Sequence, residues 1–402
     1  MTDRRSGGGA AVGGIGSLGN AASGPYSALG TGAGSGIIGA DILLLGAGHA
    51  HLLVLRHAQA FRRRGHRLTV VAPGPFWYSG LATGMLNGER APAEDQVDVA
   101  ALAARAGACF VRGEAVGLDP AAVRLADGRL LPFDAVSLAL GSRTAPLPGA
   151  ADWPDRVFPV KPIAGLWALR QALERRFATG RPVRVVVAGA GITGCELAAS
   201  IAGLAARRGG VAEVTLLSGQ GRPLRQLPGA AAARLLDGLG RRGIRHRPGQ
   251  VTAVEATRLD TTHGPLGYDI LAVATGLRPE PLVSRLGLPV GADGGLLVDG
   301  FLRSPADPRV HGAGDCIAFA GGALPRAGVF AVRQAPVLGH NLLAAAEGTT
   351  PRRFRPRRRY LWIMNLGDGT GLASYGPLRW RGRLALRCKD WLDRRFLAGL
   401  RG

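Results

Sequence analysis

Val183-Arg184-Val185-Val186-Val187-Ala188-Gly189-Ala190-Gly191-Ile192-Thr193-Gly194 decides the fold of this chain. Val183–Ala188 reads as a buried parallel strand, and three glycines follow it in the spacing G-x-G-x-x-G. The first glycine permits a tight turn. The second lets the backbone approach a pyrophosphate, and the third lets the next helix pack closely on the strand. Phosphates then sit on free N–H groups at the positive end of that helix. Glu196-Leu197-Ala198 continues as helix, with Ile201, Leu204 and Ala205 extending its apolar face.

The pattern recurs upstream. Gly46-Ala47-Gly48-His49-Ala50-His51 follows the apolar run Ile42–Leu45, about 140 residues earlier. Here His51 stands where the third glycine belongs, which predicts looser helix–strand packing or a different turn. Val310-His311-Gly312-Ala313-Gly314-Asp315 supplies a third segment downstream. Each half closes with a strand that runs into a glycine, Ala139-Leu140-Gly141 in one and Ala274-Thr275-Gly276 in the other. This is a loose internal duplication. The fold class is therefore α/β, with two Rossmann-like dinucleotide-binding domains and a small C-terminal region. Residues 40–155 and 280–346 form the first domain, interrupted by the second at 156–279. Residues 1–39 are expected to be a disordered Gly/Ala-rich tail, and 347–402 a basic amphipathic region.

Between these landmarks strands and helices alternate. Strands are expected at Leu68–Val71, Ala135–Leu140, Val214–Leu217, Ile270–Ala274 and Leu296–Val298, and helices at His51–Arg64, Ile163–Phe177 and about Phe330 to Ala345. A short helix at Val99–Ala106 has Asp98 as its N-cap. The short apolar pieces between residues 109 and 135, broken by Asp127-Gly128, suggest an antiparallel meander.

The 402 residues carry a formal net charge of +22, and all but two of the 50 basic residues are arginine, the exceptions being Lys161 and Lys389. Such a bias, in a chain rich in Ala, Gly and Pro, reads as a solvated arginine surface. No helix-turn-helix, zinc-ligand spacing or aromatic–basic motif accompanies it, so nucleic acid is not expected as a partner and no metal site is expected. The four cysteines, Cys109, Cys195, Cys316 and Cys388, form no C-x-x-C pair and suit a reducing compartment. No apolar run reaches 18 residues, so no transmembrane helix is expected.

Taken together these residues resemble the two-dinucleotide-binding flavoproteins of the pyridine nucleotide-disulfide oxidoreductase superfamily, over about residues 41–397. They look most like the type II NADH:quinone oxidoreductases. The segment from Leu43 to Arg56, Tyr78-Ser79-Gly80 and Phe330-Ala331-Val332-Arg333-Gln334-Ala335-Pro336-Val337-Leu338 are also similar to the oxidoreductase module found fused to selenophosphate synthetase. The resemblance implies FAD at Gly46, Ala47, Gly48, His49, Ala50, Ala72, Gly141, Gly312, Gly314, Asp315, Arg333 and Gln334. It implies NAD(P)H at Gly189, Gly191, Ile192, Thr193, Gly194, Glu196, Ser218, Arg222 and Gly276. Asp315 is expected at the ribitol–phosphate region, and the helix with Arg333-Gln334 is expected to aim its N-terminus at the flavin ring, where its dipole favours negative charge. Arg333 replaces one of two glutamines of the quinone reductases. The acidic residue that holds a ribose in such folds is missing twice, with Ala72 and Ser218 in its place. Ser218, followed by Arg222 and Arg225, hints at the 2′-phosphate of NADPH.

The function expected is an FAD-dependent NAD(P)H oxidoreductase, of the NADH dehydrogenase type, that passes electrons to a quinone or other direct acceptor. Phe76–Leu86, where disulfide reductases of the family place their cysteines, has none, so no thiol relay is expected and no catalytic side chain is named. Alternatives are a soluble reductase working with selenophosphate synthetase, or a nucleotide-binding protein without turnover. Residues 352–400 mix arginines with Trp380, Leu384, Trp391, Leu392, Phe396 and Leu397, a composition suited to an anionic membrane surface. The expected location is cytoplasmic, or peripheral on the inner face of the cytoplasmic membrane, and a homodimer is compatible with the resemblance.

Overall fold

The computed structural model describes residues 39–219, 221–357 and 359–401, so residues 1–38 of the expected tail lie outside the described residues. Two five-stranded sheets form the frame. The first has the order Val310–Gly312, Ala135–Leu138, Asp41–Leu45, Arg67–Ala72, Cys109–Arg112, and every neighbouring pair is parallel. The second has the order Val157–Pro159, Ile270–Val273, Val183–Ala188, Ala212–Ser218, Arg245–Pro248, again all parallel. In both sheets the fingerprint strand lies at the centre. Its C-terminal end therefore opens where neighbouring connections diverge, the usual crevice for a ligand in such sheets.

The central strands are apolar on both faces because helices cover both. Ile42, Leu44 and Leu45 are fully buried, as are Val185 and Val187. Helix His49–Arg56 packs on helix Gly328–Glu347 over the first sheet. Helix Ile192–Arg208 covers the second sheet and contacts helix Ala82–Leu86, whose Met85 and Leu86 join the second core rather than the first. The duplication extends to the accessory sheets: Ala115–Leu118, Ala122–Leu125 and Leu130–Pro132 in one half answer Val251–Val254, Arg258–Thr261 and Leu266–Gly267 in the other, both antiparallel. Ser142–Thr144 pairs antiparallel with Leu277–Pro279, so the outgoing and returning crossings run side by side just after Gly141 and Gly276.

Three local expectations change. The helix expected at 51–64 is two pieces, His49–Arg56 and Ala58–Arg62, broken at His57, whose N–H donates to Val54 O at 2.9 Å in a tighter turn. Cys109–Arg112 leaves the expected meander and forms the parallel edge of the first sheet, because a short run with one buried face looks alike in either setting. Trp380 lies in the last strand of a three-stranded antiparallel sheet, Trp362–Asn365, Gly371–Tyr375 and Leu378–Gly382, and the C-terminal helix begins only at Arg383. Asp98 does cap helix Val99–Ala106, accepting from the Ala101 N–H at 3.0 Å.

Candidate functional site

At the first fingerprint, Gly46 has φ +82°, and a Cβ there would lie 2.8 Å from Ala139 O; at Gly48 it would lie 2.5 Å from the same oxygen. The turn is thus pressed against the end of strand Ala135–Leu138. His51 fills the third position and is fully buried. Its Nδ1 lies 2.7 Å from Gly46 O and its Nε2 2.8 Å from Ser137 Oγ. A carbonyl can only accept, so Nδ1 carries the proton. Burial pushes the imidazole down to about 4, so Nε2 is bare and the Ser137 hydroxyl donates to it. Where the third glycine is missing, a hydrogen-bonded histidine ties the turn to the strand. A serine inside the buried strand Ala135–Leu138 was the available signal.

The second fingerprint divides its labour as the sequence suggests. Gly189 has φ +113°, with a Cβ position 2.5 Å from Ala274 O, and a Cβ on Gly194 would sit 1.6 Å from Gly189 O. A Cβ on Gly191, by contrast, would meet no protein atom within 4 Å. The missing side chain there leaves a cradle beside the N-terminus of helix Ile192–Arg208, which suits a pyrophosphate. Ile192 and Thr193 form the helix's first turn, and Gly276 faces open space. Glu196 is held inward: its Oε1 accepts from Thr83 Oγ1 at 2.9 Å and from the Asn365 N–H at 2.8 Å. Burial raises this carboxyl against the pull of the Lys389 ammonium. Ser218 is buried, with Oγ 2.9 Å from His246 Nε2, while the Arg222 guanidinium donates to Leu227 O at 2.7 Å and so braces its own loop.

A cavity of about 520 Å³ opens along the first fingerprint, within the range of cofactor sites. Gly46, Ala47, Gly48, His49, Ala50, Ala72, Gly141, Gly314 and Asp315 all line it. Gly328 and Ala331 line it too, so the first turn of helix Gly328–Glu347 presents its unpaired N–H groups to the cavity. Three expected residues stand back. Gly312 is buried within its strand. Gln334 Oε1 accepts from the Gly314 N–H at 2.7 Å and holds the Gly-Asp turn from behind. Arg333, one position along the helix, turns away and donates to the carbonyls of Arg357 and Arg359 at 2.8 and 3.1 Å. The expectation that it meets the cofactor is corrected, because successive helical residues point about 100° apart.

Some site residues were not recognised from sequence. Lys161 and Ser142 converge on Asp315: Nζ donates to Oδ2 at 2.5 Å, and the Ser142 hydroxyl to the same oxygen at 2.8 Å. Burial alone would raise Asp315, but the Lys161 charge and the hydrogen bonds from Lys161 and Ser142 together outweigh it and hold the carboxyl below its ordinary value. His49, pushed down to about 4 chiefly by burial, is neutral and sits against Phe76, Tyr78 and Phe396 at centroid distances of 4.9 to 5.7 Å. The C-terminal helix Arg383–Arg401 docks here. Tyr78 Oη donates to Asp393 at 2.7 Å, Lys389 bonds Asp393 and the Gly80 carbonyl, and Leu397 and Leu400 are buried. One face of this helix therefore belongs to the protein's own core, and the other exposes Leu384, Trp391 and Leu392.

The cysteines stand apart. Cys195 and Cys316 are buried, and burial pushes their thiols up to about 12 and about 11; none of the four lines the cavity. Among the described residues no group of three His, Cys, Asp or Glu side chains is placed to hold a metal.

Two parallel-sheet folds, each with a glycine turn at the end of its central strand, define an α/β protein of the double dinucleotide-binding class. A family model described as pyridine nucleotide-disulphide oxidoreductase matches residues 40–338, and the chain belongs to that family. It is 34% identical over 297 residues, 68% of this chain and 67% of the relative, to the ferredoxin–NAD(+) reductase component of the anthranilate 1,2-dioxygenase system of Burkholderia cepacia. Its fold is like that of the sulfide:quinone oxidoreductase of Aquifex aeolicus, with a TM-score of 0.75, 16% identity, and coverage of 90% of this chain and 91% of that one. It is also like the ferredoxin reductase for the CYP199A2 system from Rhodopseudomonas palustris, with a TM-score of 0.68, 22% identity, and coverage of 83% and 81%. The family's cofactors are FAD and NAD(P)H. The cavity at the first fingerprint fits the first of them, and the cradle at Gly191 fits the second.

Proposed function

We propose that this chain takes electrons from NAD(P)H through FAD to an acceptor that approaches the flavin directly, without a redox-active disulfide. The observation that carries the reading is the segment beside the cavity: Tyr78-Ser79-Gly80 stands there, and none of the four free thiols lines the cavity. Bound FAD supplies two-electron chemistry between a nicotinamide and the acceptor. The chain's own residues bind and orient. Gly191 and Gly194 admit one pyrophosphate to a helix N-terminus, and Gly46 and Gly48 admit the other. Asp315, fixed by Lys161 and Ser142, faces the cavity, and Glu196 is locked in one orientation by Thr83 and Asn365. Catalysis by positioning and fixed charge needs no side-chain acid or base.

The first test is the visible spectrum of the purified protein before and after anaerobic NADPH, and then NADH. Bands near about 370 and 450 nm that bleach support the reading. A colourless protein that cannot be reconstituted with FAD defeats it and favours a binding protein without turnover. NADPH is expected to serve at least as well as NADH, because Ser218 and His246 replace the carboxylate that would repel a 2′-phosphate. A strong kcat/KM preference for NADH is the contrary outcome.

For the acceptor, a quinone is the first reading. An iron–sulfur protein is the second, favoured by the Burkholderia cepacia relative, which is by name a ferredoxin–NAD(+) reductase component. The formal charge of +22 would steer an acidic protein of that kind. Turnover with a soluble quinone and with an acidic ferredoxin, each at low and high salt, separates the two. A pull-down with selenophosphate synthetase tests the remaining partner. No helix among the described residues is long and apolar enough to cross a membrane. Contact with a bilayer would run through the exposed Leu384 and Trp391, and flotation with anionic but not neutral liposomes is the expected result. Absence of flotation on anionic liposomes removes the membrane from the proposal.

A further inference from the structure

Arginine occupies every basic position of this chain except two, yet neither lysine lies on the open surface. The side chains of Lys161 and Lys389 are 23% and 13% exposed. A composition that places arginine wherever a cation is tolerated has kept an ammonium at these two sites, so their geometry, and not charge alone, selects it. A guanidinium is a planar fork, whereas an ammonium is compact and offers three donors in a tetrahedral spread.

At Lys161 that spread is used. One donor goes to Asp315 Oδ2 at 2.5 Å and one to Ser142 Oγ at 3.0 Å, and no protein acceptor among the described residues takes the third. Lys161, Ser142 and Asp315 all line the cavity. The other nearby charges do not substitute for it. Arg143 also lines the cavity but is paired with Glu280 at 2.6 Å, and Arg285 is solvent-exposed. His49, half-buried on the same wall, is neutral. Asp315 is ionised, and its charge would oppose a cofactor that becomes more negative on reduction.

We propose that Lys161 tunes the bound flavin: its ammonium cancels the Asp315 charge on the cavity wall and presents a free donor to the cofactor, which favours the reduced over the oxidised form. The inference rests on the FAD reading above. It makes Lys161 a positioning residue that acts through charge and not through proton transfer.

The test uses the purified holoprotein and reads the flavin midpoint potential against a reference dye, with FAD occupancy followed by absorbance. Lys161→Met removes the charge at similar length, and Lys161→Arg keeps it. The expected result is a lower potential in Lys161→Met, corresponding to about tenfold weaker relative binding of reduced flavin, or about 30 mV for a two-electron couple. Lys161→Arg should stay near the wild-type potential while retaining FAD less well. An unchanged potential in flavin-loaded Lys161→Met overturns the proposal and leaves Lys161 as a support for Asp315. If that variant comes out flavin-free, Lys161→Gln takes its place, and equal potentials in Gln and Arg holoproteins overturn the proposal equally. A wild-type protein that binds no flavin would fail the functional reading itself, a result distinct from either.

Discussion

Gly191→Ala is expected to fold as the wild type does and yet to lose most of its NAD(P)H-dependent activity, whereas Gly194→Ala is expected to lose the fold of its domain. The two glycines are three residues apart in one motif, and the structure gives them opposite reasons to exist. At Gly191 the backbone is extended, with φ −79° and ψ −176°, and a Cβ meets no protein atom. Alanine fits there and even restricts the unfolded chain, by about 0.4–1 kcal/mol. What it occupies is the space a pyrophosphate needs, so KM for NADPH should rise by about 10²-fold with FAD content unchanged. At Gly194 the added carbon lies 1.6 Å from Gly189 O, and a backbone oxygen cannot step aside without moving the turn. That clash should cost about 3 kcal/mol or more. Thermal unfolding and steady-state kinetics on both variants check the pair. An unaltered KM in a well-folded Gly191→Ala would show that no dinucleotide approaches this turn.

Stability is expected to rise between pH 4 and pH 6.5, to peak near pH 6.5, and to fall slightly above it. His51 and His311 are buried and His49 half-buried, and all three are held neutral, with values pushed down to about 4 from the ordinary 6.5. Across that window the unfolded chain binds a proton on each and the folded chain does not, so unfolding takes up protons and stability grows with pH. The stabilisation is fully present above 6.5 and is lost as pH falls through about 4. Two carboxyls act in the opposite sense. Asp95 is fully buried, neither of its oxygens has a hydrogen-bond partner, and burial raises it to about 7. Glu196 is raised by burial as well. Their folded forms keep protons that the unfolded chain has released. His246 is lowered by burial in the same sense as the three histidines, so the histidines outnumber the carboxyls and the net slope favours higher pH, at about 1.4 kcal/mol per pH unit for each proton of difference. Once the histidines are silent, only the carboxyl penalty remains, which places the maximum. Asp95→Asn should therefore gain up to about 4 kcal/mol above pH 7 and nothing near pH 3.5. Denaturant midpoints from pH 4 to 8 measure both effects. A flat profile would mean that these groups are solvated.

Much of this was legible in the residues themselves. Glycine spacing after an apolar run is a local property, because a turn, a close approach and a helix N-terminus all fall within a dozen residues. The two nucleotide folds, their central strands and the duplication follow from such runs. Asp98 announced its helix in the same local way. The amphipathic C-terminus ends in the helix Arg383–Arg401, but a composition of arginines and apolar residues says only that one face is apolar and not what it lies against. It lies against Tyr78 and Gly80, more than 300 positions away in the chain.

What the tertiary structure alone decided is the set of side chains brought together by distance. Lys161 meets Asp315 across 154 positions, His51 meets Ser137 across 86, and Glu196 meets Thr83 and Asn365 across 113 and 169. No spacing rule covers such pairs, because each depends on which strands neighbour in a sheet and which helix closes over it. Arg333 and Gln334 show the same limit at short range. The motif placed both at the cofactor, and the packing of one helix face sent Gln334 to the Gly314 turn and Arg333 to the outer loop. Sequence determined where the two glycine turns follow their strands. Only the packed fold determined which charges wait there, since a charge's effect is set by the groups that burial forces beside it.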